Sequence, residues 1–298
     1  MERLQEAIEK ARDQREGKIG QIANQSPARP EAKDEAIPAE KDKKGRIERE
    51  EGKESKEGEV VGSLVSEQQP EPAKVTYSKT RRIDVDEATL KKNRIIAGFH
   101  HDQRVEYYRQ LRSQVLSEMN QNNWNTLAIT SPGENAGKTL TSINLAVSIA
   151  QEVNQTVMLV DLDLRKPNVH ESFGVDVEKG IVDCLFHNEP MEDILFNPGF
   201  PRLVIMPGRA LGRHSSELLT SPEMNGFLQE VKTRYQSRII IFDLPPLLRN
   251  DDALVFTPNV DASLLVIEDG VTTPDDITRS IQLLGRSHLI GTILNKAR

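Results

Sequence analysis

Apolar positions are sparse through the first quarter of the chain and then fall into two alternating patterns. Met1–Arg15 places Leu4, Ile8 and Ala11 on one side of a short helix, a length that is marginal alone in water, so it reads as a solvated segment or a small docking helix. From Gln25 to about Gln69 both charge signs are mixed, and roughly two thirds of Glu31–Glu59 is charged. Such a stretch cannot offset chain entropy by burial and reads as disordered. Ile83, Val85 and Leu90 are thinly spaced before order becomes firm at Ile95-Ile-Ala-Gly98. The chain therefore divides into residues 1–75, a short helix plus a disordered charged linker, and a folded domain over 76–298.

Within that domain Val105, Tyr108, Leu111, Val115 and Met119 recur at three- and four-residue steps, predicting a helix over Asp102–Asn120. Strands are expected at Asn125–Thr130, Thr156–Asp161, Leu203–Met206, Arg238–Asp243, Ala262–Ile267 and Thr292–Leu294. Helices are expected at Thr139–Gln151, Pro222–Tyr235, Asp251–Phe256 and Asp275–Leu284. The strands are almost wholly apolar, as when both faces are covered, so the fold expected is an α/β, mostly parallel, doubly wound sheet.

Composition narrows the function. The 298 residues carry a net charge of −7, which offers no basic field for nucleic acid. The single cysteine, Cys184, excludes an internal disulfide framework and fits a reducing, cytoplasmic setting; its apolar segment Ile181–Phe186 suits a small buried hydrophobe. No run of 18 apolar residues occurs, and the N-terminus lacks a signal-peptide core. A direct membrane span is not expected.

The chemistry centres on Ser131-Pro-Gly-Glu-Asn-Ala-Gly-Lys-Thr139, set between an expected strand and an expected helix. That context makes a P-loop: the backbone N–H groups of Gly133, Glu134, Asn135, Ala136, Gly137, Lys138, Thr139 and Leu140 face phosphate, Lys138 reaches the outer phosphates, and Thr139 can ligate Mg²⁺. Pro132 stands where the motif has its first glycine. Two other strands run into aspartates at the same edge, one into Asp161-Leu-Asp163-Leu-Arg-Lys-Pro167 and one into Asp243-Leu-Pro-Pro246. Carboxylates at strand ends are costly to desolvate without a cation, and Mg²⁺ takes one or two carboxylates plus phosphate oxygens. Thr139, Asp161 and Asp243 are therefore candidate metal residues.

In combination these motifs resemble the Walker A, A′ and B motifs of the bacterial tyrosine kinases of capsule and exopolysaccharide synthesis, the CpsD/CapB type. Glu106-Tyr-Tyr-Arg109-Gln-Leu-Arg112 is similar to that family's E-x-x-R-x-x-R helix, Ser216-Glu-Leu-Leu219 to its E-L-L segment, and Leu294-Asn-Lys296 to its closing L-N-K. The resemblance covers about residues 85–298; the leading helix and linker resemble the exosortase-associated subgroup. It implies a P-loop NTPase fold and Mg²⁺- and ATP-dependent tyrosine phosphorylation, with Lys138, Asp161 and Asp163 catalytic. It also implies an inner-membrane polysaccharide co-polymerase as partner, a cytoplasmic location peripheral to that membrane, and homo-oligomerisation. The Glu106, Arg109, Arg112 line suits either a solvated charged stripe or an intersubunit contact.

Members of that family usually end in a tyrosine cluster. This sequence stops at Asn295-Lys-Ala-Arg298, with tyrosines only at Tyr77, Tyr107, Tyr108 and Tyr235. Unless it is a fragment, tail autophosphorylation is not expected. That leaves another tyrosine, a separate protein substrate, or an ATPase or ATP-dependent scaffold without kinase activity. Tyr77 is expected in a flexible junction, and Tyr107 and Tyr108 are expected to pack on their helix. The alternative family is the MinD/ParA-type ATPase, but Gly133 stands where those proteins carry a signature lysine.

Overall fold

A computed structural model describes residues 80–99, 102–211, 214–234 and 238–297. The expectations for residues 1–75, Tyr77 and Tyr235, and the domain boundary at residue 76, lie outside these.

The sheet has eight strands: β1 (Arg81–Arg82), β2 (Thr126–Thr130), β3 (Thr156–Asp161), β4 (Phe196–Asn197), β5 (Leu203–Met206), β6 (Arg238–Asp243), β7 (Ala262–Glu268) and β8 (Leu289–Asn295). They lie side by side as β1-β4-β5-β3-β6-β2-β7-β8, and every pairing except β4 with β5 is parallel. Successive side chains point to opposite faces, and both faces are covered. Leu127, Ile129, Val157, Leu159, Ile239 and Ile241 enter one core layer. Ala128, Met158, Val160, Ile240 and Phe242 enter the other. This is why the central strands show no polar alternation.

Helices α1 (Glu87–Lys92), α2 (Val105–Asn122) and α3 (Lys138–Ala150) precede or follow β2. The next are α4 (Val169–Ser172), α5 (Ile181–His187), α6 (Met191–Ile194), α7 (Ser215–Leu219), α8 (Pro222–Arg234), α9 (Asp252–Phe256) and α10 (Pro274–Leu283). The long elements agree with the periodicity. The expected elements did not include β1, β4 or the short helices α1 and α4 to α7, and began α2 three residues early: Asp102 precedes the helix, accepting from the Arg104 N–H and pairing with its guanidinium. Cys184 is partly buried against the core, and burial pushes its thiol up.

The helix α3 is almost wholly buried, between the sheet and α2. Asn144, fully buried within it, is satisfied on both sides of its amide: its oxygen accepts from the Ile96 and Ala97 N–H groups, and its nitrogen donates to the Arg94 and Leu140 carbonyls. At the far end, Arg112 of α2 donates to the Ser148 carbonyl at 3.0 Å and pairs with Glu152 at 2.8 Å.

Candidate functional site

The loop between β2 and α3 opens onto a cleft of about 750 Å³ beyond the carboxyl ends of the strands, where ligands of open parallel sheets sit. Gly137 ends the loop at φ +93°, and a Cβ there would lie 2.1 Å from the Asn295 amide nitrogen. That amide donates to the Ala136 carbonyl at 2.8 Å, so the end of β8 closes over the P-loop. Gly133, by contrast, has open space around it.

Lys138, the first residue of α3, is buried with its ammonium 2.7 Å from Asp163 and 3.8 Å from Asp243. Burial works to lower its pKa, but the carboxylates of Asp243 and Asp163 outweigh that and hold it above its ordinary value. The Thr139 hydroxyl donates to Asp243 at 2.6 Å, and Ser142, one turn on, donates to the other Asp243 oxygen at 3.0 Å. Burial raises the Asp243 pKa, against the opposing pull of Lys138 and Thr139. Asp161 and Asp243 are register partners on adjacent strands.

Asp161 and Asp163 differ in what they do. Asp161 is fully buried, and both its oxygens are occupied by backbone N–H groups: Asp163 at 3.1 Å, Asn168 at 2.9 Å and Val169 at 3.0 Å. It folds the loop after β3 around itself, and burial beside Asp243 pushes its pKa up to about 7. Asp163 lines the cleft, with one oxygen on Lys138 and the other accepting the Lys166 N–H. Of the expected phosphate-facing residues, Glu134, Asn135, Gly137, Lys138, Thr139 and Leu140 line the cleft, while Gly133 and Ala136 do not.

The donor set fits a nucleotide phosphate with a hard cation. One lysine lies against two buried carboxylates, Asp163 and Asp243, and a hydroxyl and a carboxylate meet at Thr139 and Asp243. Among the described residues no group of three or more His, Cys, Asp or Glu side chains forms a closed cage. Mg²⁺ favours such an open arrangement, because phosphate and water complete its shell.

Several contributors were not picked out as site residues. Asn295 reaches the loop from 159 residues away in sequence and Lys296 lines the cleft; their only signal was the closing L-N-K. Arg165 is held by a two-point pairing with the buried Asp252, at 3.0 and 3.2 Å; Arg249 is exposed at the cleft rim. Away from the cleft, Glu106 and Arg109 form a loose exposed pair at 3.5 Å. Arg112 is turned inward to Ser148 and Glu152, so the three do not form one surface line.

Among known proteins, the family model described as an AAA domain matches residues 126–267. The tyrosine-protein kinase YwqD of Bacillus subtilis is 31% identical over 192 residues, covering 64% of this chain and 80% of that protein. The tyrosine-protein kinase etk of Escherichia coli K12 is 32% identical over 196 residues, covering 65% of this chain and only 27% of its own length. The solved kinase domain of the Escherichia coli tyrosine kinase ETK superposes with a TM-score of 0.63 at 30% identity, covering 72% of this chain and 88% of that one.

Proposed function

From this chain's membership of the bacterial protein-tyrosine kinase family, we propose that it transfers the γ-phosphoryl group of ATP to a tyrosine hydroxyl. The observation that carries this reading is Lys138 held between Asp163 and Asp243 with Thr139 locked onto Asp243, all at one cleft. Phosphoryl transfer is mostly positioning and charge neutralisation, so few groups are needed. Lys138 carries the phosphate charge, the amides from Glu134 to Leu140 cradle it, and Asp163, facing the cleft, accepts the phenolic proton. Thr139 and Asp243 would hold Mg²⁺, which supplies positive charge to the phosphates when bound. Asp161, expected as a metal and catalytic residue, is proposed to act through the loop it holds, which places Asp163.

By its motifs the chain is further proposed to regulate capsule or exopolysaccharide chain length, beside a membrane co-polymerase and in a homo-oligomer. Glu106 and Arg109 are the members of the charged triple free to face a neighbour. Among the described residues no helix is long and apolar enough to cross a membrane; attachment through that partner is part of the same proposal.

The test is incubation of the full chain with labelled ATP, Mg²⁺ and a tyrosine copolymer, beside Lys138→Met. Phosphotyrosine in the wild type, reduced at least a hundredfold in the variant, is the expected result. Equal label in both, or in neither, overturns the proposal. Phosphate release without phosphotyrosine replaces it with the ATPase reading.

A further inference from the structure

Two tyrosines fall among the described residues, adjacent on α2 and opposite in setting. Tyr108 packs against the core, and burial pushes its phenol up to about 12. Tyr107 departs from the expectation of packing: it is 73% exposed, more than any other exposed large hydrophobic described. We propose that Tyr107 is a phosphoacceptor, modified by the site of a second copy of this chain; this rests on the kinase reading above.

The geometry excludes its own site. The Tyr108 carbonyl accepts from Ser148 at 3.2 Å, and Arg112 donates to the Ser148 carbonyl. Ser148 lies ten residues beyond Lys138 on α3, roughly 15 Å along the helix axis. The Tyr107 stretch is thus anchored at the end of α3 away from the cleft, out of reach of its own Lys138 and Asp163.

The same stretch is suited to presentation. Tyr107 is the third residue of α2, in a first turn whose buried Val105 anchors it to the core and leaves the Tyr107 ring facing outward. The exposed Glu106–Arg109 pair flanks it loosely. Once added, a phosphate sits in the first turn, where the helix dipole favours negative charge, and three residues from the Arg104 guanidinium. In the transfer, the bond between the γ-phosphorus and the bridging oxygen breaks with its electron pair leaving on ADP. The Tyr107 oxygen bonds the phosphorus, and the phenolic proton passes through Asp163 of the acting copy to solvent.

The experiment incubates the full chain with Mg²⁺-ATP and a tyrosine copolymer, then maps phosphotyrosine by tandem mass spectrometry. Phosphate on Tyr107, and at least a twofold fall in self-label for Tyr107→Phe with copolymer labelling unchanged, is the expected result. A Lys138→Met chain carrying a mass tag should gain phosphate on Tyr107 when mixed with wild type. Label confined to Tyr77 or Tyr235, or a labelled copolymer beside an unlabelled Tyr107, overturns this proposal and leaves the kinase reading standing. A tagged Lys138→Met chain that stays unlabelled while wild type is labelled overturns the second-copy route. No phosphotyrosine on any acceptor overturns both readings.

Discussion

Gly133 and Gly137 lie four residues apart in one loop, yet only one of them needs to be glycine. At Gly137 the backbone is left-handed and the Asn295 amide fills the space a Cβ would take. Gly137→Ala should cost about 1–3 kcal/mol, combining backbone strain with a lost hydrogen bond to Ala136, seen as a fall in melting temperature. Gly133→Ala meets nothing and should change stability by less than about 0.5 kcal/mol. The aspartates after β3 divide in the same manner. Asp161→Ala leaves three inward backbone donors without an acceptor and should lose on the order of 2–4 kcal/mol in a denaturant melt. Asp163→Asn should keep most of the stability and lose most of the phosphotransfer. An acid at the end of an apolar strand is visible in the sequence; which backbone groups turn toward it is not, because that depends on the path of the loop through Val169.

At the scale of elements, the central strands and the helices α2, α3 and α8 were legible because burial on both sheet faces, or on one helix face, writes a long apolar pattern. β1 and β4 were not, since each is two residues and β1 is Arg81–Arg82, exposed on both side chains and held by pairing with β4. The inward turn of Arg112 was equally hidden: a residue three positions from Arg109 reads as its surface neighbour until α2 is laid on α3. Arg112→Ala should therefore lower the melting temperature by a few degrees, at a cost of about 1–2 kcal/mol for the lost bonds. β2 is fixed at its start by Asp261, which accepts from the Asn125 and Thr126 N–H groups and the Thr126 hydroxyl and pairs with Lys232. Burial works to raise the Asp261 pKa, but the bonds from Thr126, Lys232 and Asn125 outweigh it and hold the carboxyl below its usual range. Its contribution is therefore present above the unfolded-state pKa and is lost as pH falls through the lower folded-state value. Asp261→Asn should destabilise the protein at pH 7 and differ less from wild type near pH 3, as read from unfolding midpoints across that range.

For the whole molecule, the chemistry at the cleft draws on segments from Lys138 to Lys296, so ligand binding should report on the entire fold. A ligand at about a hundred times its Kd adds about 2.7 kcal/mol to stability. Mg²⁺-ATP should raise the melting temperature of the wild type by several degrees, and Lys138→Met should abolish the shift. The parallel sheet and the cleft at its carboxyl edge were legible from the alternation of apolar strands with helices and from what stands at the strand ends. The closing of β8 over the loop was not, because no local pattern records a contact across so much chain.

Asn144 gives the fold a mechanical property. Its amide ties Arg94, Ile96 and Ala97 directly to the helix that begins with Lys138. Arg112 holds the same helix near its opposite end, at the Ser148 carbonyl. The helix that positions the lysine is thus clamped from outside the sheet at two points, by the segment before α2 and by α2 itself.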